Sequence, residues 1–406
     1  MKVYIGIDWS HKKHDVRILN LAGITLAEFS ILHSSEGFAY LVDQIRNLGT
    51  SPEDCFIAIE CTYTLLIDFL WANGFWNIWV APPNRVKAER KTYTSSGAKS
   101  DPGDAEIIAN MVRTKRQLLQ PWAPGTPLLR QIQVQVRHIG HLTQDIVRQT
   151  NRLRDVLLRY YPAAVSLFSA LDTQISLHFL RNFPTPQEAS ALTWDAFRQF
   201  VMSHRYPRPS QLAARFAHLQ QPHLQGDLVT AAMFRHITVQ TADATLGLVL
   251  AKQHALRDLQ ALYRQHPLVH IFESLPGAGQ YLAPALLAKF GEDTSRFSSL
   301  AEVQILAGTC PVTETSGKRR RVFFRRSCDH EFRTIMQQWA RCSTFESPWA
   351  QMYFRKVRPQ CDSENHAYRC LANRWLAVLW KLWKTNSPYD EDHHLKDRAK
   401  RLASKS

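Results

Sequence analysis

The chain opens on an apolar, β-branched run from Val3 to Ile7 that ends on Asp8 and gives way at once to polar Trp9-Ser10-His11-Lys12-Lys13. Such a run predicts a buried strand whose terminal carboxylate stands at a sheet edge, within reach of a metal or substrate. Alternation resumes from Asp15 to Leu19, turns at Asn20-Leu21-Ala22-Gly23 and continues from Thr25 to Ile31, the pattern of an antiparallel meander. Ser35 is placed to cap a helix whose one apolar face carries Phe38, Leu41, Val42 and Ile45. Cys55 to Ile59 is again strand-like and ends on Glu60; a helix from Leu65 to Trp71 and a strand from Trp76 to Val80 follow.

The order βββαβαβ is that of an RNase H-like fold, whose central sheet gathers acids from neighbouring strand ends. Next comes Lys99-Ser100-Asp101-Pro102-Gly103-Asp104-Ala105, leading into the helix-periodic Ile107, Ile108, Met111 and Val112. Asp101 suits an N-cap, Pro102 the first helical position and Asp104 the reaching partner of a capping box, which explains both acids without any metal. Three residues apart at a helix start, the same carboxylates also share one face, where they could meet Asp8 and Glu60.

Thr126-Pro127 predicts the cap and first position of a long helix to about Tyr160, apolar at Leu129, Ile132, Val136, Ile139, Leu142, Ile146 and Leu153. Its polar face carries Arg130, Arg137, Arg148, Arg152 and Arg154, either a solvated face or an arm for a phosphate backbone. A second long helix, Ala244 to Gln265, could pair with it antiparallel as a coiled-coil-like arm. The insert between them, 161–226, contains short amphipathic segments such as Trp194 to Val201 and suggests no chemistry. Ser274-Leu275-Pro276-Gly277-Ala278-Gly279 then joins two helices in a helix-hairpin-helix-like element, where backbone N–H groups near Gly277 and Gly279 could grip a phosphate.

Beyond it, Glu314-Thr315-Ser316-Gly317 runs into Lys318, Arg319, Arg320 and Arg321, then Val322-Phe323-Phe324 with Arg325 and Arg326. Cations interleaved with aromatics suit a phosphate backbone with stacked bases, and the aromatics argue against a merely solvated charge run. Ser316, read as a turn serine beside guanidinium groups, could attack a phosphodiester whose developing charge those groups stabilise. Helices through Ile335 to Trp339 and Tyr368 to Trp383 read as core, and the tail from Asp390 as fraying.

Charge sharpens this picture. With 50 Lys and Arg against 35 Asp and Glu in 406 residues, the net charge is +15, favouring a polyanionic partner, and the length implies two or three domains. Seven scattered cysteines, with no CxxC pair, argue against a disulfide framework or zinc knuckle and for a reducing compartment. Neither a signal peptide nor a membrane span is expected, since Asp8 interrupts the first apolar run and Asp68 and Asn73 break the longest one.

Tyr4-Ile5-Gly6-Ile7-Asp8, Ile59-Glu60-Cys61-Thr62, Lys99 to Ala105, Ser274 to Gly279 and Glu314 to Gly317 are, in this order, similar to the successive motifs of one family, the DEDD transposases of bacterial insertion sequences (insertion-sequence family one-hundred-and-ten). The resemblance implies a RuvC-like N-terminal domain over 1–122, a helical coiled-coil arm over 123–268 with its insert, a mainly α C-terminal transposase domain over 269–390 and a basic tail over 391–406. It implies a DNA recombinase in which Asp8, Glu60, Asp101 and Asp104 bind Mg2+ and Ser316 forms a 5′-phosphoserine link to DNA. It further implies donor and target DNA and a structured non-coding bridge RNA as partners, assembly of dimers into a tetramer, and a cytoplasmic, nucleoid-associated location. Gly277, Gly279, Lys318, Arg319, Arg320, Arg321, Arg325 and Arg326 are the expected nucleic-acid contacts. A RuvC-like junction nuclease using metal-activated water, or a non-catalytic binding protein whose acids are caps, are the alternatives.

Overall fold

The computed structural model describes residues 1–60, 64–93, 101–206, 208–317 and 319–396, with the side chains of residues 91, 93, 101, 102 and 120 outside the description. The chain divides into two compact units, Met1–Pro124 and Gly125–Ser406.

The first unit is built on strands β1 (Val3–Asp8), β2 (Lys13–Leu19), β3 (Thr25–Leu32), β4 (Cys55–Ile59), β5 (Ile78–Val80) and β6 (Gln120–Trp122). They form one sheet of order β3-β2-β1-β4-β5-β6, with β1, β4 and β5 parallel and the other pairings antiparallel. The expected meander is thus present. Helices α1 (Ser35–Asn47) and α2 (Leu65–Ala72) cover one face, where Val3, Ile5, Ile7, Ile57 and Ile59 pack against Phe38, Leu41, Leu66 and Leu70. The cap of α1 is Ser34, not Ser35: its hydroxyl accepts from the Gly37 N–H. Helices α3 (Pro83–Tyr93) and α4 (Asp101–Thr114) lie on the other face, where Ile107, Ile108, Met111 and Val112 meet Tyr4, Leu19 and Ala58. Neither α3 nor β6 is evident from the sequence pattern.

The second unit is helical. Helix α5 (Pro127–Tyr160) begins as expected, with the Thr126 hydroxyl accepting from the Leu129 N–H. The insert holds α6 (Ala163–Leu167), α7 (Gln174–Asn182), α8 (Pro186–Ser190), α9 (Trp194–Ser203) and α10 (Leu212–Gln220), and α11 (Leu228–Tyr263) returns along α5. Leu129 to Leu142 share a core with Ala255 to Tyr263, whereas Leu153 to Tyr160 share another with Ala231 to Leu246, so the two helices run antiparallel. The insert belongs to that second core through Leu177, Phe179, Phe197 and Leu212. It is a small folded body around the distal end of the helix pair.

Then follow α12 (Val269–Glu273), α13 (Gly279–Phe290), α14 (Leu300–Leu306), a two-stranded ribbon of β7 (Val312–Ser316) and β8 (Arg319–Phe323), α15 (His330–Glu346), α16 (Pro348–Val357) and α17 (Glu364–Thr385). The tryptophans read as core are core: Trp339, Trp375 and Trp383 are buried and donate their indole N–H to the Pro276 carbonyl, the Ser343 hydroxyl and the Gly291 carbonyl. The start of the tail does not fray. Glu391 accepts from the Ser347 hydroxyl, the Trp349 N–H and the Tyr389 hydroxyl. Among the described residues no helix is long and apolar enough to cross a membrane.

Candidate active site and nucleic-acid face

Strand alternation decides which way the acids of the first unit face. Val3, Ile5 and Ile7 fill the α1–α2 side, so Tyr4, Gly6 and Asp8 face α4. The parallel register pairs Ile7 with Ile59, which puts Asp8 and Glu60 side by side at the ends of neighbouring strands. Helix α4 crosses β1 so closely that a Cβ on Gly6 would overlap the Ala105 carbonyl and the Ala109 nitrogen. Its C-terminal end lies over the β2–β3 turn, where Arg113 donates to the Leu21 carbonyl at 3.2 Å, so its N-terminal end, with Asp101 and Asp104, points to the Asp8 end. Backbone placement therefore gathers Asp8, Glu60 and the start of α4 at one end of one face.

Asp104 is buried, at 3% exposure, and both its oxygens are taken by Arg90 of α3: Nε at 2.7 Å and Nη2 at 2.5 Å. A fork-on-carboxylate pair of this kind fixes both groups, and Asp104 does not reach back as a capping box. The Asp101 side chain lies outside the described residues. A further acid joins the face. Asp15 of β2 stands directly across from Asp8 in the antiparallel register, nearly buried, and accepts from the Ser30 hydroxyl with Lys13 at 3.3 Å. Sequence reasoning missed both Asp15 and Arg90. Register could have found the first, since a hairpin pairing Ile7 with Val16 must pair Asp8 with Asp15; a partner fourteen residues from Asp104 on a separate helix leaves no such signal.

This donor set is entirely carboxylate oxygen, the hard ligand type that suits a magnesium-class divalent cation. Beside it, on the opposite side of the sheet, His14 is fully buried, with Nε2 2.9 Å from Nδ1 of His33. Burial, reinforced by His33 and opposed by Asp15, lowers the His14 pKa to about 4. Trp9 spans the loop after β1 to donate to the Thr64 hydroxyl, which also caps α2.

In the second unit, Ser316 ends β7 rather than sitting within a turn. It pairs with Arg319 across the ribbon, and Gly317, at φ +55°, begins the reversal. Alternation sets Ser316 and Glu314 on the same face as Arg319 and Arg321, with Thr315 and Arg320 on the other. Ser316, Arg319, Arg320, Arg321 and Arg326 are exposed, and Lys318 lies outside the described residues. Arg325 is turned to structure: it donates to the carbonyls of Cys310 and Pro311 at the root of the ribbon. Ser327 is exposed in the segment that follows.

The glycine hairpin differs from its expected use. The Gly277 N–H donates to a carboxylate oxygen of Glu346 at 2.7 Å, so this amide already serves an internal anion. Gly277, at φ +71°, also lies against the Cys342–Ser343 backbone so closely that no Cβ would fit, whereas Gly279 has open space around it.

A carboxylate-bearing sheet end in one unit and an exposed, arginine-rich ribbon in the other are the chemically distinctive surfaces of the described residues. A family model for DEDD transposases of the IS110 type matches residues 5–162, and one for transposases of the IS116/IS110/IS902 family matches residues 269–355, together more than half of the chain. The chain is 28% identical over 401 residues to the transposase attributed to the IS117 mini-circle of Streptomyces coelicolor, covering 96% of each chain. It is 24% identical over 398 residues to the 44.8 kDa protein of insertion element IS116 from Streptomyces clavuligerus, 94% of each. With the 42 kDa protein of insertion element IS900 from Mycobacterium paratuberculosis it shares 24% over 405 residues, 95% of this chain and 97% of that one. The chain belongs to the IS110 family of DEDD transposases, enzymes that process DNA.

Proposed function

We propose that this transposase is a site-specific DNA recombinase that cuts and rejoins strands through a phosphoserine intermediate on Ser316, with the acids of an RNase H-like domain as its metal-dependent half. The observation that carries the reading is the gathering of Asp8, Glu60 and Asp104 on one face at one sheet end, from strands and a helix far apart in sequence. The strand order β3-β2-β1-β4-β5, with the first three antiparallel, supports the RNase H-like assignment.

Asp8, Glu60, Asp101 and Asp104 would hold a divalent cation, Mg2+ in this reading, which when bound polarises phosphodiester oxygens. Arg90 holds Asp104 in a fixed orientation and offsets part of the acid charge when DNA phosphate approaches. On the ribbon, Ser316 Oγ attacks phosphorus: the Oγ–P bond forms, the P–O3′ bond breaks, the serine proton passes to solvent or a nearby base, and the departing 3′-oxygen takes up a proton. Arg319 and Arg321 share the Ser316 face and can neutralise the pentavalent charge. A free 3′-hydroxyl on a new strand then reverses the step. Target choice through base pairing with a bridge RNA fits a sequence that carries no recognisable helix-turn-helix motif, and assembly of dimers into a tetramer would present the several active sites that exchange of strands requires.

The test uses the full chain with flanking element DNA and any RNA that copurifies. Ser316→Ala is expected to remove covalent protein–DNA adducts and retain nucleic-acid binding, and Asp8→Asn to lose cleavage with binding retained. Adducts that persist in Ser316→Ala would sink the serine assignment. Cleavage of branched DNA that needs Asp8 but not Ser316 would instead indicate a junction nuclease.

A further inference from the structure

In the second unit, Cys361, His366 and Cys370 bring two thiols and an imidazole together, each pair of donor atoms within 4.8 Å. Three local devices hold them there. The 3-10 turn Arg358–Gln360 closes onto Cys361, whose N–H donates to the Arg358 carbonyl while the Arg358 guanidinium donates to the Cys361 carbonyl. Ser363 caps α17 by accepting from the His366 N–H, which fixes His366 in the first turn. Cys370 stands four residues further on, on the same face of the helix.

We propose that Cys361, His366 and Cys370 form a binding site for zinc or a similar borderline-soft divalent cation, with solvent at the fourth position. Thiolate and imidazole are the ligand types zinc takes in structural sites, and its ligand atoms sit roughly 3.3–3.8 Å apart around a tetrahedral ion. A small closure of the present cluster reaches that spacing. Asp362 Oδ2 lies 3.7 Å from His366 Nδ1, which sets a carboxylate beside the imidazole.

The spacing C-x4-H-x3-C is no CxxC motif, which is why the sequence argues against a zinc knuckle; the helix supplies the proximity. Its consequence reaches the ribbon. Arg369, between the two helical ligands, lies over the Phe324 ring at 4.7 Å, with Arg333 at 4.4 Å, and Phe324 follows β8 directly. The cation would brace α17 and with it the root of the strand pair that carries Ser316. The site is independent of the phosphoserine reading and of the carboxylate site.

Full-length protein, purified under reducing conditions without chelator, is expected to carry about one zinc ion per chain by elemental analysis. Cobalt(II) should give tetrahedral d–d bands and a thiolate-to-cobalt charge-transfer band, which carboxylates cannot produce. Cys361→Ser, Cys370→Ser and His366→Ala should each weaken cobalt binding about tenfold or more, while Cys342→Ser should not. A wild-type chain without the charge-transfer band overturns the proposal, whether or not the variants fold. So does a Cys361–Cys370 disulfide found by mass spectrometry in that same protein.

Discussion

At position 6 the absence of a side chain is required, because the α4 backbone at Ala105 and Ala109 occupies the space a Cβ would need. Gly6→Ala must push α4 away from β1, and with it Asp104 away from Asp8. The expected cost is about 1–3 kcal/mol, seen as a lower urea midpoint of the first unit. An unchanged midpoint would mean that α4 does not seat on the strand as described. His14 makes a second residue-scale prediction. Its folded pKa, near 4, lies below the ordinary 6.5, so the unfolded chain binds more protons between those values. His33, Asp15, Trp9 and Phe38 surround it, and Asp15 only partly offsets burial. Stability is therefore full above about pH 6.5 and falls as the pH drops toward 4, by on the order of 2–3 kcal/mol from this residue alone. Unfolding of His14→Gln measured at pH 7 and pH 5 should show a smaller acid loss than the wild type; an equal loss would assign the acid sensitivity elsewhere.

Among the elements, those with a buried face on a simple period were legible and those without were not. Asp8 and Glu60 could be placed at strand ends because Val3–Ile7 and Cys55–Ile59 are wholly apolar on their inner face. The hydrophobic pattern places the start of this helix at Ala244, sixteen residues after the observed start at Leu228, because the inner face of α11 there is threonine: Thr238, Thr241 and Thr245 are buried, and the last two return their hydroxyls to carbonyls four residues back. A hydrophobic period does not register such positions. The sequence places Ser316 in a turn rather than a strand for the opposite reason, since neither strand buries a face and the three pairs next to the reversal, Glu314–Arg321, Thr315–Arg320 and Ser316–Arg319, are polar on polar. Tyr160 tests the insert's core. Its hydroxyl donates to the Pro184 carbonyl at 2.5 Å and lies 2.8 Å from the Thr238 hydroxyl, so Tyr160→Phe leaves buried acceptors unpaired at a cost of about 1–3 kcal/mol. Amide exchange should speed up over 161–226 and remain unchanged in the first unit; uniform acceleration would contradict the separate core.

For the whole molecule, a surplus of fifteen positive charges makes nucleic-acid binding salt-dependent whatever the chemistry. Arg320→Ala is expected to weaken binding evenly across sequences and reduce the slope of log affinity against log salt by about one, whereas Arg325→Ala, whose side chain holds Cys310 and Pro311, should lower stability more than it changes that slope. A slope unchanged in Arg320→Ala would remove that arginine from the phosphate path. The ribbon has a further consequence as an object with its own equilibrium. Two short exposed strands are scarcely stable alone, and Arg319 with Arg321 on one face repel each other, offset only in part by Glu314 directly across from Arg321. A bound polyanion cancels that repulsion and, by mass action, favours the paired form. Occupancy and order are thereby coupled, so the ribbon, with Ser316 at its tip, is held in one geometry chiefly while a polyanion lies along it.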